Sequence, residues 1–171
     1  MSELLRMEHY TFRYPQQRRA ALDDVSLRVE QGAFMVLCGP SGCGKSTLLH
    51  QLKTVLAPHG AREGAIFFDG RPLADVSERE QASGIGFVQQ SVDKQTVTDK
   101  VWHELAFGLE SLGLDTPTIR RRVAEMASFF GIQDWFYREV ASLSGGQKQL
   151  LSLASVMVMQ PKLLILDEPT N

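Results

Sequence analysis

The sequence is poor in cysteine and lacks any long apolar run. Its two cysteines, Cys38 and Cys43, suit free thiols in a reducing cytosol better than a structural disulfide. The longest apolar stretch, residues 150–159, is interrupted by two serines, whereas a membrane-spanning helix needs about 20 apolar residues. The N-terminus has no basic region followed by a long apolar stretch, so we expect no secretory signal. These absences favour a cytosolic soluble protein.

Neither sign of charge dominates the sequence. Eighteen basic and 20 acidic residues leave a formal net charge of −2, which gives no reason to expect nucleic acid as a partner. The 171 residues, 43% of them hydrophobic and 22% charged, are typical of one soluble globular domain.

A glycine-rich segment follows an apolar run near the N-terminus. Residues 39–46 read GPSGCGKS, which fits the phosphate-binding pattern G-x-x-x-x-G-K-[ST]. The run at 33–38 predicts a strand buried on both faces, and residues 45–55 predict a helix. Such a loop aims backbone N–H groups at phosphates, so we expect Lys45 to reach the β- and γ-phosphates and Ser46 to bind Mg²⁺. The predicted nucleotide-binding residues in this segment are Gly39, Pro40, Ser41, Gly42, Cys43, Gly44, Lys45, Ser46 and Thr47.

The segment LSGGQ, residues 143–147, has two compatible interpretations. Ser144 with Gln147 three residues later forms the pattern of a capping box, which would begin a helix over 147–159. A capped, glycine-rich helix start is also a binding site for anions.

Two carboxylates follow a second apolar run. Residues 163–168 read LLILDE and place Asp167 and Glu168 at the C-terminal end of a predicted buried strand, where α/β proteins bind ligands. Asp167 is suited to hold Mg²⁺, directly or through water, and Glu168 to orient and deprotonate an attacking water. The alternative is a strand that ends in an acidic turn.

The remaining segments predict the organisation of the chain. Alternating residues at 4–12 and 25–29 indicate an antiparallel layer, and 65–68 and 85–88 indicate further strands. Two helices are predicted between 93 and 143, one capped by Thr98 and one beginning at Thr116 and Pro117.

The sequence resembles the ATP-binding subunit of ATP-binding cassette (ABC) transporters through three motifs in the family's order, GPSGCGKS, LSGGQ and LLILDEP. It is similar in particular to energy-coupling-factor and cobalt-type importers through TVTDKVWHELAFGLESLGL and VMVMQPKLLILDEPTN. The resemblance implies an α/β P-loop NTPase (RecA-like) core with an N-terminal antiparallel β layer and an inserted α-helical subdomain. We therefore expect one nucleotide-binding domain over 1–171, divided into a β layer and P-loop core (1–92), a helical subdomain (93–143) and the signature helix and final strand (144–171).

The resemblance also assigns roles to residues outside the phosphate loop. It implies that Tyr14 stacks on adenine. The alternative is that Tyr14 is a tyrosine of the hydrophobic core with no role in binding. It implies that Gln90 touches Mg²⁺ and the attacking water, although Gln89 stands where the family often has an aromatic residue, and both could be loop amides. The catalytic set is then Glu168, Lys45 and Gln90, and the metal set is Ser46, Gln90 and Asp167. The signature residues that contact ATP held by an opposite subunit are Ser144, Gly145, Gly146 and Gln147.

The same resemblance implies the partners. ATP and Mg²⁺ are the expected cofactors. The expected partners are a second nucleotide-binding domain (homo- or heterodimer) and membrane-embedded transporter subunits. The expected location is cytoplasmic, on the inner face of the cell membrane.

Three features of the family follow the position of Asn171: the switch histidine, the dimer-contacting loop and a strand between the 33–38 and 163–166 strands. We thus expect the C-terminal part of the core to be missing and hydrolysis to be inefficient. The alternatives are a nucleotide-binding module of a non-transport ABC protein and a truncated chain that binds ATP without efficient hydrolysis.

Overall fold

The computed structural model describes residues 2–89 and 96–168. The chain divides into two compact units, Met1–Gln81 and Ala82–Asn171. The strands and helices in chain order are β1 (Glu3–Arg13), β2 (Leu22–Glu30), α1 (Lys45–Gln51), β3 (Ala61–Phe68), β4 (Arg71–Pro72), α2 (Glu78–Gly84), β5 (Ile85–Val88), α3 (Val101–Ser111), α4 (Thr116–Phe130), α5 (Gly145–Met157) and β6 (Leu163–Leu166). Short 3₁₀ turns include Thr54–Leu56, Leu73–Asp75, Gln133–Trp135 and Val140–Ser142.

An antiparallel sheet with the strand order β2-β1-β3-β4 dominates the first unit. Strand β1 pairs with both β2 and β3, but its register shifts between Met7 and Tyr10. His9, which lies within that shift, adopts a positive φ of 46°. The shift is a β-bulge, which adds one residue to the strand and changes the face on which the following side chains lie. Met7, Tyr10 and Phe12 can therefore all be buried. The predicted N-terminal antiparallel layer is therefore present.

The apolar segment 33–38 is not the buried strand that the sequence predicts. The structure assigns it neither helix nor strand, and Phe34 and Val36 are 90% and 66% exposed. Among the described residues no strand pairs with this segment. A run of apolar side chains indicates that burial would be favourable, but a buried strand also needs partners for its backbone N–H and C=O groups. The prediction is wrong for this reason.

Three helices form the core of the second unit. The side chains at its centre are almost fully buried, and they include Val101, Leu105, Leu109, Val123, Ile132, Leu151 and Ala154. Helix α4 begins after Asp115, whose carboxylate accepts from the Thr118 N–H at 3.1 Å, and ends at Gly131 with φ 67°. Helix α3 begins after Lys100, so the prediction of Thr98 as its cap is wrong.

A parallel pair of strands, β5 and β6, lies in the second unit, in register from Ile85 beside Leu163 to Val88 beside Leu166. A Cβ on Gly86 would lie 2.6 Å from the Val156 side chain, so α5 packs closely on β5. Of the four β6 residues only Ile165 is buried. The prediction of a fully buried strand is wrong here, because Leu164 and Leu166, which share one face of the strand, are 36% and 39% exposed.

Two further expectations concern the chain as a whole. Within residues 2–89 and 96–168, no helix is both long and apolar enough to cross a membrane. The predicted divisions at 92/93 and 143/144 stay predictions, and so does the expectation of a missing C-terminal part of the core.

Candidate nucleotide-binding site

The glycine-rich loop leads directly into helix α1 in the first unit. Gly44 is the N-cap of α1 with φ 101° and provides no side-chain cap. A Cβ at Gly44 would lie 2.7 Å from the Ala21 carbonyl oxygen, so both the backbone conformation and the packing require glycine here. Gly42 also has a positive φ, 79°. The loop therefore has the sharply turned backbone that can present N–H groups to an anion.

Lys45 folds back onto the loop that precedes it. Its ammonium donates to the carbonyl oxygens of Gly39 at 2.8 Å and Pro40 at 3.0 Å, and it lies 4.0 Å from the Cys43 sulfur. The positive charge is thus held at the loop by neutral acceptors. A phosphate would compete well for it, because a phosphate adds the attraction between opposite charges to the hydrogen bond.

The remaining members of the predicted loop site lie at the start of α1. Ser46 and Thr47 are half-buried in the first turn, whereas Ser41 in the loop is exposed. Thr47 is hydrogen-bonded to the Tyr14 hydroxyl at 3.0 Å, and the Tyr14 ring packs edge-on against Phe12 with centroids 4.9 Å apart. Tyr14 is half-buried rather than a core residue, so its ring lies close to the helix that follows the loop. Stacking on adenine stays a prediction.

The two carboxylates lie at the C-terminal edge of the parallel strand pair. The Asp167 N–H donates to the Val88 carbonyl oxygen at 3.0 Å, which extends the β5–β6 ladder by one bond. Asp167 is 7% exposed, whereas Glu168 is exposed and has a positive φ of 48°. The Asp167 carboxylate is therefore buried at the strand end, and the Glu168 carboxylate faces solvent. In such an arrangement one carboxylate can bind a metal while the other acts as a general base for water.

Gln90 lies outside the described residues. Gln89, its neighbour, is half-buried and directly follows β5, so the parallel register brings Gln89 and Asp167 to the same edge. No group of three or more His, Cys, Asp or Glu residues that could hold a metal occurs in the described ranges.

The LSGGQ segment forms the capping box that the sequence predicts. The Ser144 hydroxyl accepts from the Gln147 N–H at 3.3 Å, and the Gln147 side-chain oxygen accepts from the Ser144 N–H at 2.9 Å. Gly145 and Gly146 lie exposed in the first turn of α5. A Cβ on either would meet none of the described residues within 4 Å, and neither has a positive φ. The fold of this chain therefore does not by itself require glycine at these two positions.

Sequence reasoning missed the part played by Glu104. This buried residue of α3 accepts from the backbone N–H groups of Val97 and Thr98 at 3.1 and 2.9 Å, and from the Thr98 hydroxyl at 3.0 Å. Thr98 thus donates to a carboxylate instead of capping α3. The sequence contained a signal for this role, because Glu104 lies on the apolar face of a predicted helix. A charged side chain that is buried there needs hydrogen-bond partners to offset the loss of water.

A family model described as ABC transporter matches residues 22–171. The matched region contains the glycine-rich loop, the capping box and the acidic pair. The chain belongs to the ABC transporter family. The family predicted from the three motifs is thereby confirmed.

Known ABC proteins resemble this chain over most of its length. A putative ABC transporter ATP-binding protein of Bacillus cereus is 48% identical over 164 residues, which are 96% of this chain and 30% of the relative. An energy-coupling factor transporter ATP-binding protein of Lacticaseibacillus paracasei is 36% identical and matches all of this chain and 60% of its own length. The chain thus spans less than two thirds of the length of each of these two relatives.

A solved ABC structure has the same fold. CbiO1 from Clostridium perfringens, described as part of the ABC transporter complex CbiONQ, superposes with a TM-score of 0.85 at 30% identity over 99% of this chain and 67% of that one. The predicted α/β P-loop NTPase class, with its antiparallel layer and helices, is confirmed by this similarity.

Proposed function

We propose that this chain is an ATP-binding and ATP-hydrolysing part of an ABC transporter, most similar to importers of the energy-coupling-factor type. The observation that carries the proposal is the acidic pair at the C-terminal edge of β5 and β6, in a chain that also has a complete phosphate loop at the start of α1. Paired carboxylates at such an edge suit phosphoryl transfer to water better than binding alone.

The phosphate loop supplies the binding of ATP. Its glycine-dependent turn presents backbone N–H groups to the phosphates. The Lys45 ammonium, which donates here to the Gly39 and Pro40 carbonyl oxygens, would instead donate to the β- and γ-phosphates when ATP binds. Tyr14, tied to Thr47, contributes an aromatic ring for adenine. Stacking of this kind adds affinity with little selectivity for the base.

The donor set fits Mg²⁺. Ser46 offers a hydroxyl, Asp167 a buried carboxylate and Gln90 an amide oxygen, and Mg²⁺ binds through one or two carboxylates together with phosphates and water. When bound, Mg²⁺ neutralises charge that develops on the phosphates.

Glu168 is the proposed base for hydrolysis. The water oxygen bonds to the γ-phosphorus while the bond from that phosphorus to the β–γ bridging oxygen breaks, and Glu168 takes a proton from the water. Its exposure next to the buried Asp167 keeps it accessible to water. Gln90 would help to orient the same water.

The signature segment acts on ATP held by a second nucleotide-binding domain, identical or different. Ser144, Gly145, Gly146 and Gln147 form an exposed helix start, which attracts anions. Within the described part of the chain, no atom lies within 4 Å of where a Cβ on Gly145 or Gly146 would be, which leaves room for a phosphate. The pair would lie at the cytoplasmic face of the membrane. Its closure would then drive a conformational change in the membrane-embedded subunits.

Titration of the chain with Mg-ATP tests this function. Replacing Lys45 by Ala removes a charge-assisted contact and should weaken binding by about 10- to 100-fold. Lys100→Ala is the matched control, because Lys100 is exposed and lies outside the phosphate loop; it should bind as the unchanged chain does. Equal affinity of the Lys45→Ala variant would refute the function.

A further inference from the structure

A buried carboxylate near the start of helix α3 holds a surface segment of the second unit. Glu104 is 7% exposed, and one of its oxygens, Oε2, accepts from the N–H groups of Val97 and Thr98 and from the Thr98 hydroxyl. The Val97 side chain is 63% exposed. Glu104 therefore holds this segment by its backbone and by one hydroxyl, not by a buried apolar side chain.

The surroundings of Glu104 on its own helix do not require a charged residue. Val101, Leu105 and Ala106, which lie near it on α3, are fully buried apolar residues. A carboxylate buried among such groups costs free energy unless hydrogen bonds offset the loss of water, whereas an apolar side chain carries no such cost. What Glu104 contributes is therefore its hydrogen bonds to the surface segment.

The chain that follows Thr98 is hydrogen-bonded to the segment that precedes LSGGQ. Lys100 and Glu139 form an antiparallel bridge. Beside this bridge, the Val140 N–H donates to the Asp99 carbonyl oxygen at 2.8 Å. The two segments thus form a short antiparallel contact, in which a shift of one segment moves the other.

This contact leads directly into the signature segment. The 3₁₀ turn Val140–Ser142 follows the bridge, and the Leu143 N–H donates to the Val140 carbonyl oxygen at 3.1 Å. Leu143 is buried, and the next residue, Ser144, is the N-cap of α5. A displacement at Val140 therefore reaches Ser144 within one short turn.

We propose that Glu104 is a positioning residue for the signature segment. Its carboxylate fixes the chain at 97–98, this segment sets the contact between Lys100 and Glu139, and that contact sets where Ser144 and the start of α5 lie. The role rests on the proposed action of the signature segment on ATP held by a second domain. Glu104 acts through Ser144 and needs no contact with ATP.

Two substitutions separate the reach of the Glu104 side chain from its charge. Glu104→Asp keeps the charge but is one methylene shorter, which draws its oxygens away from the donors. Glu104→Gln loses the charge but keeps an accepting oxygen at the original reach. Thr98→Val removes one donor from the partner's side, so it should act in the same direction as Glu104→Asp but more weakly.

The matched control is Val123→Ala. Val123 is fully buried in the core of the same unit, so alanine leaves a cavity and should lower the melting temperature. It touches neither the Glu104 hydrogen bonds nor the contact at Lys100. A general loss of stability is thereby separated from a loss of position.

Amide hydrogen exchange of the full ¹⁵N-labelled chain measures the position by NMR. The N–H groups of Val140 and Ser144 are both hydrogen-bonded, and they exchange when these bonds open locally. In Glu104→Asp both should exchange at least about tenfold faster. Glu104→Gln and Val123→Ala should exchange there as the unchanged chain does, and the backbone spectra verify that each variant is folded.

Sedimentation with Mg-ATP measures the consequence for function. Glu104→Asp should dimerise at least about tenfold more weakly, whereas Glu104→Gln and Val123→Ala should dimerise normally. The affinity of the monomer for Mg-ATP should be equal in all variants, because the phosphate loop is unchanged.

The two measurements separate this proposal from the proposed function. Equal exchange at Val140 and Ser144 in Glu104→Asp and the unchanged chain would overturn the role of Glu104, whether or not the chain dimerises. Normal dimerisation of Glu104→Asp, or a Glu104→Gln variant as impaired as Glu104→Asp, would also overturn it. Faster exchange in Glu104→Asp, combined with an unchanged chain that does not dimerise, would support the position held by Glu104 and refute the proposed action of the signature segment.

Discussion

The backbone N–H of Asp167 donates to the carbonyl oxygen of Val88 at 3.0 Å. This bond joins the first residue after β6 to the last residue of β5. It holds the buried Asp167 carboxylate at a defined point of the strand edge, next to the chain that leads to Gln89. Such a fixed backbone suits the role proposed for Asp167 as a metal ligand, because a held ligand needs little rearrangement when the metal binds.

Replacing Asp167 by Asn should weaken ATP binding only when Mg²⁺ is present. Asparagine keeps the shape but removes the negative charge, so we expect at least about tenfold lower affinity for Mg-ATP and unchanged affinity for ATP in EDTA. Isothermal titration under both conditions measures this. Asp134→Asn, at an exposed site of the same unit, is the control. Equal losses in both conditions would instead assign Asp167 a packing role.

Replacing Gly146 by Ala should preserve the fold but prevent ATP-dependent dimerisation. The added Cβ would lie more than 4 Å from every described residue outside its own helix turn, and alanine is the better helix former, by about 0.5–1 kcal/mol in a helix interior. We expect an equal or higher melting temperature and loss of the dimer in sedimentation with Mg-ATP.

The comparison variant for this test is Gly131→Ala. Gly131 has φ 67° and open space around it, so alanine is strained there without blocking any approach. It should lower the melting temperature and leave dimerisation intact. A Gly146→Ala variant that still dimerises would contradict the role of the signature segment.

Alkylation of Cys43 should be slowed by ATP. Its thiol is exposed and lies 4.0 Å from the Lys45 ammonium, within the loop expected to surround phosphates. Mass spectrometry after N-ethylmaleimide treatment can follow Cys43 and Cys38 in the same sample. Cys38 is also exposed and is the internal control. Protection of both or of neither would count against phosphate binding at Cys43.

The ion pair of Glu80 and Arg71 should stabilise the first unit in a pH-dependent manner. Hydrogen bonds from Arg71 and then Ser77 lower the pKa of Glu80 from 4.5 to about 2. Because the folded pKa is lower than the unfolded one, the stabilisation is complete above pH 4.5 and is lost as the pH falls toward 2. Both side chains are exposed, so the effect should be small and should decrease with salt.

Urea unfolding of Glu80→Gln at pH 7, 5 and 3 measures that effect. The variant should unfold at lower urea than the unchanged chain at pH 7, and the difference should narrow at pH 3. Glu78→Gln, also exposed in the first turn of α2, is the matched control. A difference that stays constant with pH would show that the charge of Glu80 is not the cause.

Features that depend on neighbours in sequence were predictable. The box formed by Ser144 and Gln147 and the start of α4 near Thr116 and Pro117 follow from short-range hydrogen bonds and local backbone preferences. The bounds of β5 and β6 follow from short apolar runs in the sequence. The three motifs, taken together, were sufficient to indicate the family.

Features that depend on distant partners were decided by the tertiary structure alone. The bond between Val88 and Asp167 joins residues far apart in sequence, and so does the contact between Tyr10 and Gln51. The segment 33–38 failed as a predicted strand for the same reason, since its composition indicates a tendency to be buried but not a partner. Sequence by itself determined the local elements and the chemistry available at each, because those rest on interactions within a few residues. The tertiary structure decided the strand register, the exposure of each apolar side chain and the pairing of Lys100 with Glu139, because these rest on hydrogen bonds and packing between segments that no local pattern encodes.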